Sequence, residues 1–376
     1  MIVGESAGTA DMTRRVADPV PRRILIIKWS ALGDVVIASA IMEDIARAFP
    51  QAEIHLNTLP NCVGLFAHDP RFAQVFAIDI RHKGARWRNT LAWLRRVRAG
   101  RYDLVIDLQN SDRSRLLLAL LALLPGAPRR RAGNRTGFPY TDGPAAVPGD
   151  AHVFDKMRAI LATLGVPART DHPVFHPGAE SRERVALLRR AHGLEDGAYV
   201  VLLPGSQAGG RLKRWGTERY AELARCLHQA GVPKVVLVGG PDEVDVCRQI
   251  AAVGDYMLDL NGVPGLLEIA PLCAGAAAII GNDTGTAHFA AGAGRPLLVL
   301  CGPTDPRRVK PIGSHALAVQ AELPCRNCYG KTCAIADTHA CMRAITPAWV
   351  AARLPALAAG QLRPGMHWAE EGLRLY

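Results

Sequence analysis

The chain has 376 residues, 49% of them apolar and 21% charged, which suits two α/β domains or one large one and excludes wholesale disorder. No uninterrupted apolar run approaches the roughly 18 residues of a membrane span, the longest compact one, Leu116 to Leu124, stopping at Pro125-Gly126. The net charge is +11, and residues 81–140 alone carry fourteen Lys and Arg against three acids, a local excess equal to that of the whole chain. Such a field implies an anionic partner: nucleic acid, acidic lipid head groups or a phosphorylated substrate. The plain alternative is a solvated basic face. No apolar segment precedes Ile24, so a secretory signal is not expected. Disulfides are then not expected either, and Cys62, Cys226, Cys247, Cys273 and Cys301 read as small core residues.

The elements alternate. Ile24–Ile27 reads as a buried parallel strand, followed by the turn Ser30-Ala31-Leu32-Gly33 and a helix from about Asp34 to Phe49. Strands follow at Glu53–Asn57 and Asp103–Asp107, then a leucine-rich helix, Ser111–Leu124. A loop rich in Pro, Gly and Asp runs from Gly133 to Gly149, and His152–Leu164 reads as a helix. A second series has strands at Tyr199–Leu203, Lys234–Val238, Ala276–Ile280 and Leu297–Leu300. Its helices are Thr217–Ala230, Asp242–Ala252 and Thr284–Ala291. Two such series imply two Rossmann-like halves with parallel sheets, joined in the proline-interrupted residues 166–185. Ligands of such sheets sit beyond the carboxyl ends of the strands, so two facing sheets make a cleft.

Four places carry chemistry. In Lys28-Trp29-Ser30-Ala31-Leu32-Gly33-Asp34, Gly33 permits a tight turn and Asp34 opens a helix at the mouth of the sheet. It is either a helix cap or a reactive carboxylate. In Gly281-Asn282-Asp283-Thr284-Gly285-Thr286-Ala287-His288, small residues at a helix start suit a diphosphate. Asp283 there fits holding the turn or binding a sugar hydroxyl, and His288 is either a structural residue or part of that site. Lys213-Arg214-Trp215 follows a glycine-rich loop, and Lys213 is either a surface lysine or a partner for a diphosphate. Glu243, after Gly239-Gly240-Pro241-Asp242, either complements a helix dipole or accepts hydrogen bonds from a ribose.

Taken in order, G-D-V-V, K-x-W, G-G-P-x-E and D-T-G-x-x-H resemble glycosyltransferase family 9, whose best-known members are the ADP-heptose:lipopolysaccharide heptosyltransferases. Asp107-Leu108-Gln109, Gly302-Pro303-Thr304-Asp305-Pro306 and the late cysteines add to the likeness, which covers about residues 22–355. It implies a GT-B fold: two Rossmann-like domains whose parallel sheets face an interdomain cleft. The implied division is a flexible extension (1–21), an acceptor domain (22–175), a nucleotide-sugar domain (176–350) and a C-terminal helix and tail (351–376). Asp34 looks like the general base and Lys213 like the diphosphate partner. Ser206, Glu243, Asp283, Thr284, Gly285 and His288 resemble the donor-binding set, though alignment at Ser206 is loose. The implied activity is inverting transfer of heptose from ADP-heptose to an anionic glycolipid of the lipopolysaccharide core. The implied location is cytoplasmic, at the inner face of the membrane. No cofactor is required for that catalysis, and no D-x-D sequence suited to Mg²⁺ accompanies these residues.

Cys325-x2-Cys328-x4-Cys333-x7-Cys341 can wrap a structural zinc or iron ion, stay as plain thiols or form a disulfide. Rival readings are a family 9 transferase using another nucleotide-sugar, a silent nucleotide-sugar-binding protein, and a nucleic-acid binder. Retention of Asp34, Lys213, Glu243 and Asp283 together opposes silence. The absence of interleaved exposed aromatics in the basic window opposes nucleic acid.

Overall fold

The computed structural model describes residues 20–80, 84, 86–206, 210–333 and 339–376. Residues 1–19 of the expected extension lie outside them, as do Arg81 and Lys83 of the basic window and residues 207–209 of the glycine-rich loop.

The first half runs β1 (Arg23–Ile27), α1 (Leu32–Ala48), β2 (Glu53–Thr58), β3 (Gln74–Ala77), α2 (Arg86–Ala99), β4 (Leu104–Asp107), α3 (Asp112–Ala122), β5 (Arg130–Ala132) and α4 (Val153–Thr163). Its strands form one parallel sheet in the order β3-β2-β1-β4-β5. Ile24 to Ile27 are wholly buried because helices cover both faces of the central strand.

The second half begins with α5 (Ala179–Ala191), inside the segment expected to be the irregular join. It continues as β6 (Tyr199–Leu203), α6 (Thr217–Gln229), β7 (Lys234–Leu237), α7 (Val244–Ala251), β8 (Met257–Asp259), α8 (Ile269–Cys273), β9 (Ala278–Asn282) and α9 (Gly285–Ala291). Then come β10 (Leu297–Cys301), α10 (Pro306–Val309), β11 (Ala316–Ala321), α11 (Ala340–Arg343), α12 (Pro347–Ala358), β12 (His367–Trp368) and β13 (Leu373–Leu375). The sheet order is β12-β13-β11-β10-β9-β6-β7-β8, parallel from β11 to β8, with β13 antiparallel to β11. Strand order therefore reverses between β1 and β4 in one half and between β6 and β9 in the other. These are the positions where doubly wound sheets open a crevice for ligand.

The link between the halves is tied to α1. Asp44 accepts hydrogen bonds from the N–H groups of Arg169 and Thr170 and from the Thr170 hydroxyl. The Val174 N–H donates to Ser39 Oγ, and buried Arg71 joins Asp69 and Glu43 to the Val174 carbonyl. Towards the second half the same segment offers an aromatic stack, Phe175 on Phe289.

Candidate active site between the two sheets

The turn after β1 is held from three sides. Gln109 Oε1 accepts the N–H groups of Trp29 and Ser30 at 2.9 and 3.0 Å. Trp29 Nε1 donates to Asn57 Oδ1, which also takes Trp93 Nε1. Asp107, at the end of β4, accepts the N–H groups of Gln109 and Asn110 and the Tyr140 hydroxyl. Burial pushes its carboxyl up, and these hydrogen bonds oppose that push.

Asp34 is not the cap of α1. The helix starts at Leu32, two residues before the expected position, because Ala31 is the N-cap and the pinned turn leads directly into it. Asp34 stands in the first helical turn. One carboxylate oxygen accepts the Ala31 N–H at 3.3 Å and lies 4.0 Å from Lys28 Nζ. Its side chain is 43% exposed, whereas that of Lys28 is 2% exposed. Burial lowers the affinity of the Lys28 amine for its proton, while Asp34 and Asp107 raise it. Lys28 also donates to the Leu108 carbonyl at 3.3 Å.

Across the cleft, Lys213 Nζ donates to Asp283 Oδ2 at 2.7 Å, and the Thr304 hydroxyl reaches the same oxygen at 2.8 Å. Asp283 is buried and Lys213 is partly exposed. Asp283, expected to hold the turn or bind a sugar hydroxyl, is the counter-ion that orients the lysine. Thr284 caps α9 by accepting the Ala287 N–H. Its neighbour His288 is buried, with Nδ1 unpartnered, and desolvation holds the imidazole down to about 4. A Cβ on Gly33 would stand 3.2 Å from this ring, so glycine there lets the two halves close on each other.

These groups line one cavity of about 420 Å³. Asp34, Gly33 and Ile37 face it from the first half; Lys213, Asp283, Thr284, Gly285, His288 and Arg308 face it from the second. Two expected site residues stand elsewhere. Ser206 is buried, donating to the Gly210 carbonyl and accepting from Arg214 Nε, so it braces its loop. Glu243 accepts the Gly240 N–H at 2.6 Å and packs so closely behind Gly205 that a Cβ there would meet it at 2.5 Å. Neither lines this cavity. Asn282 staples the loop to the sheet through the Pro204 and Gly205 carbonyls.

The sequence reading assigned no role to Lys28, Gln109, Thr304 or Arg308. Gln109 and Thr304 lay within matched segments, Asp107-Leu108-Gln109 and Gly302-Pro303-Thr304. Arg308 carried no signal, because an arginine in a short helix is ordinarily solvent. Cys341 is affected by the charges of Cys325, Cys328 and Cys333, so the four expected metal ligands share a region. Among the described residues no three His, Cys, Asp or Glu side chains converge in a group able to hold an ion, so a structural zinc or iron there is unsupported.

Two facing Rossmann-like halves with one cavity between the turns at their switch points define the GT-B class of glycosyltransferase. The fold matches the solved structure of ADP-heptose lipopolysaccharide heptosyltransferase II from Escherichia coli, with TM-score 0.66 and 23% identity over 90% of this chain and 99% of that one. Residues 90–339 match the model of glycosyltransferase family 9 (heptosyltransferase), and the chain belongs to that family. It is 28% identical over 333 residues to lipopolysaccharide heptosyltransferase 1 of Pseudomonas aeruginosa, covering 84% of this chain and 89% of the relative. It is 26% identical over 317 residues to lipopolysaccharide heptosyltransferase 2 of E. coli, covering 79% and 88%.

Proposed function

We propose that this glycosyltransferase moves a heptose from ADP-heptose to a lipopolysaccharide core acceptor, with inversion at the anomeric carbon. One observation carries the reading: a half-exposed carboxylate, Asp34, faces the Lys213–Asp283 pair across a single cavity. Asp34 takes the proton of the acceptor hydroxyl as its oxygen attacks the anomeric carbon. The bond from that carbon to the diphosphate oxygen breaks on the opposite face, and the transition state has oxocarbenium character. Lys213, held at one N–H by Asp283, turns its remaining donors to the leaving diphosphate, and Arg308 adds charge. The low basicity of His288 keeps it neutral at physiological pH, so the ring at the cavity wall adds no charge beside Lys213. Glu243 serves the ribose only if the loops at Gly205 and Gly240 shift on binding.

The acceptor is lipid-anchored in this reading, so the chain works in peripheral contact with the inner face of the cytoplasmic membrane. Among the described residues no helix is long and apolar enough to cross a membrane. The names of the relatives support the heptose and the lipopolysaccharide core. The likeness to the E. coli ADP-heptose heptosyltransferase supports the adenosine diphosphate. A thermal-shift panel tests the donor, because a ligand of the native state raises the melting temperature by mass action. ADP and ADP-heptose are expected to stabilise the chain more than UDP, GDP or CMP. Equal stabilisation by a uridine or guanosine ligand would transfer the assignment to another nucleotide-sugar.

A further inference from the structure

Part of the basic window lies on α2, none of whose residues lines the cleft cavity. Residues 86–101 hold six arginines and no acid. On α2, Trp93 and Val97 are wholly buried. Trp87, Leu91, Arg95 and Arg98 follow at helical spacing on the opposite side, with Trp87 86% exposed and Leu91 47% exposed. On the adjacent α3, Leu116 is 59% exposed, and Leu123, just past the helix end, is 74% exposed. A groove of about 740 Å³ runs between, with Leu91, Leu94 and Leu124 as apolar lining and Arg95, Arg98 and Arg101 as cations. None of Arg88, Arg95, Arg98 and Arg101 is ion-paired among the described residues.

A merely solvated face does not set a tryptophan and three leucines out among unpaired arginines. Cations flanking apolar side chains on one helix face match an interface with acidic head groups outside and acyl chains within. The exposed Trp87 corrects the expectation that the basic window lacks exposed aromatics, but Leu91, Leu116 and Leu123 have nothing to offer a phosphodiester backbone, which still disfavours nucleic acid.

We propose that this face docks on an anionic phospholipid bilayer. Trp87, Leu91 and Leu123 enter the head-group region, and Arg88, Arg95 and Arg98 meet the lipid phosphates. The proposal deepens the reading above, from which it takes only the lipid-anchored acceptor. It is tested by sedimentation of the full chain with vesicles of phosphatidylcholine alone and of phosphatidylcholine mixed equally with phosphatidylglycerol. The chain is expected to bind the mixed vesicles and to be released by salt. R88Q/R95Q/R98Q should bind about 10²-fold more weakly, from the usual contribution of each cation at an acidic surface. W87S/L91S should also lose binding although its charge is intact. Both variants alter exposed side chains, and melting temperatures equal to wild type show that they are folded; Arg98→Glu alone is the second test of the charge. Failure of the wild type to bind mixed vesicles, or equal binding by all variants, overturns the proposal. So does displacement of the vesicles by a short DNA duplex. The donor panel fails separately: vesicle binding without any ADP shift would remove the donor assignment and leave this surface standing.

Discussion

The two halves each bring an aspartate to the switch point of a parallel sheet, and the two are used differently. Asp34 is half-exposed, accepts one long hydrogen bond and has its nearest cation at 4.0 Å. Asp283 is buried and takes hydrogen bonds of 2.7 and 2.8 Å from Lys213 and Thr304. A carboxylate with open lone pairs can accept a proton from a substrate, whereas one saturated by a cation and a hydroxyl holds its partner in place. The same residue type after the same kind of strand is thus half-exposed with open lone pairs in one half and buried as a counter-ion in the other, and the proposed mechanism makes the first reactive and the second positioning. The difference comes from what surrounds it.

Replacing Asp34 by Asn breaks the first side of the comparison. The amide can still accept the Ala31 N–H but cannot take a proton. Asp34→Asn should keep its melting temperature and ADP binding while turnover falls about 10²–10⁴-fold, the range of a lost general base. Turnover near the wild-type rate in a folded variant would return Asp34 to a helix-start role.

The second side is probed by a cycle of Lys213→Ala, Asp283→Asn and their double variant. Lys213→Ala should cost about 10²–10³ in turnover, as loss of a contact to developing charge does. Asp283→Asn should cost less, because the ammonium remains but is no longer aimed. If Asp283 acts through Lys213, the double variant should be scarcely worse than Lys213→Ala. Additive losses would show that Asp283 touches the substrate itself.

The smallest effect concerns stability. Burial holds His288 down to about 4 in the folded state, below the value near 6.5 of an unfolded histidine. The unfolded chain therefore binds the extra proton between those values. Stability from the neutral imidazole is present above about pH 6.5 and is lost as pH falls towards 4, by up to about 3 kcal/mol. Wild type should lose more melting temperature than His288→Gln over this window. Parallel curves would mean that His288 reaches solvent and is not held neutral.

Much of the fold was legible because central strands of parallel sheets are continuous apolar runs, as in Ile24–Ile27 and Tyr199–Leu203. Edge strands such as β3 and β8 were missed because one side faces water and their composition is ordinary. In the site, glycine and small residues at helix starts marked Gly33, Asp34 and the Asp283–His288 turn. Glu243 carried the same kind of signal and Ser206 only a loose likeness; both brace their loops in the structure, outside the cavity lining.

Local periodicity and turns that need glycine set the alternation of strand and helix, the two-half organisation and the residue types available at each strand end. Which of those residues face one another depends on how the chain packs. Lys28 is a buried cation because β4 and its loop close over it, and Asp283 is a counter-ion because Thr304 and Lys213 arrive from distant segments. His288 is neutral because the other half packs at Gly33. Burial and through-space charge set the chemistry of these groups, and both depend on contacts between segments far apart in the chain.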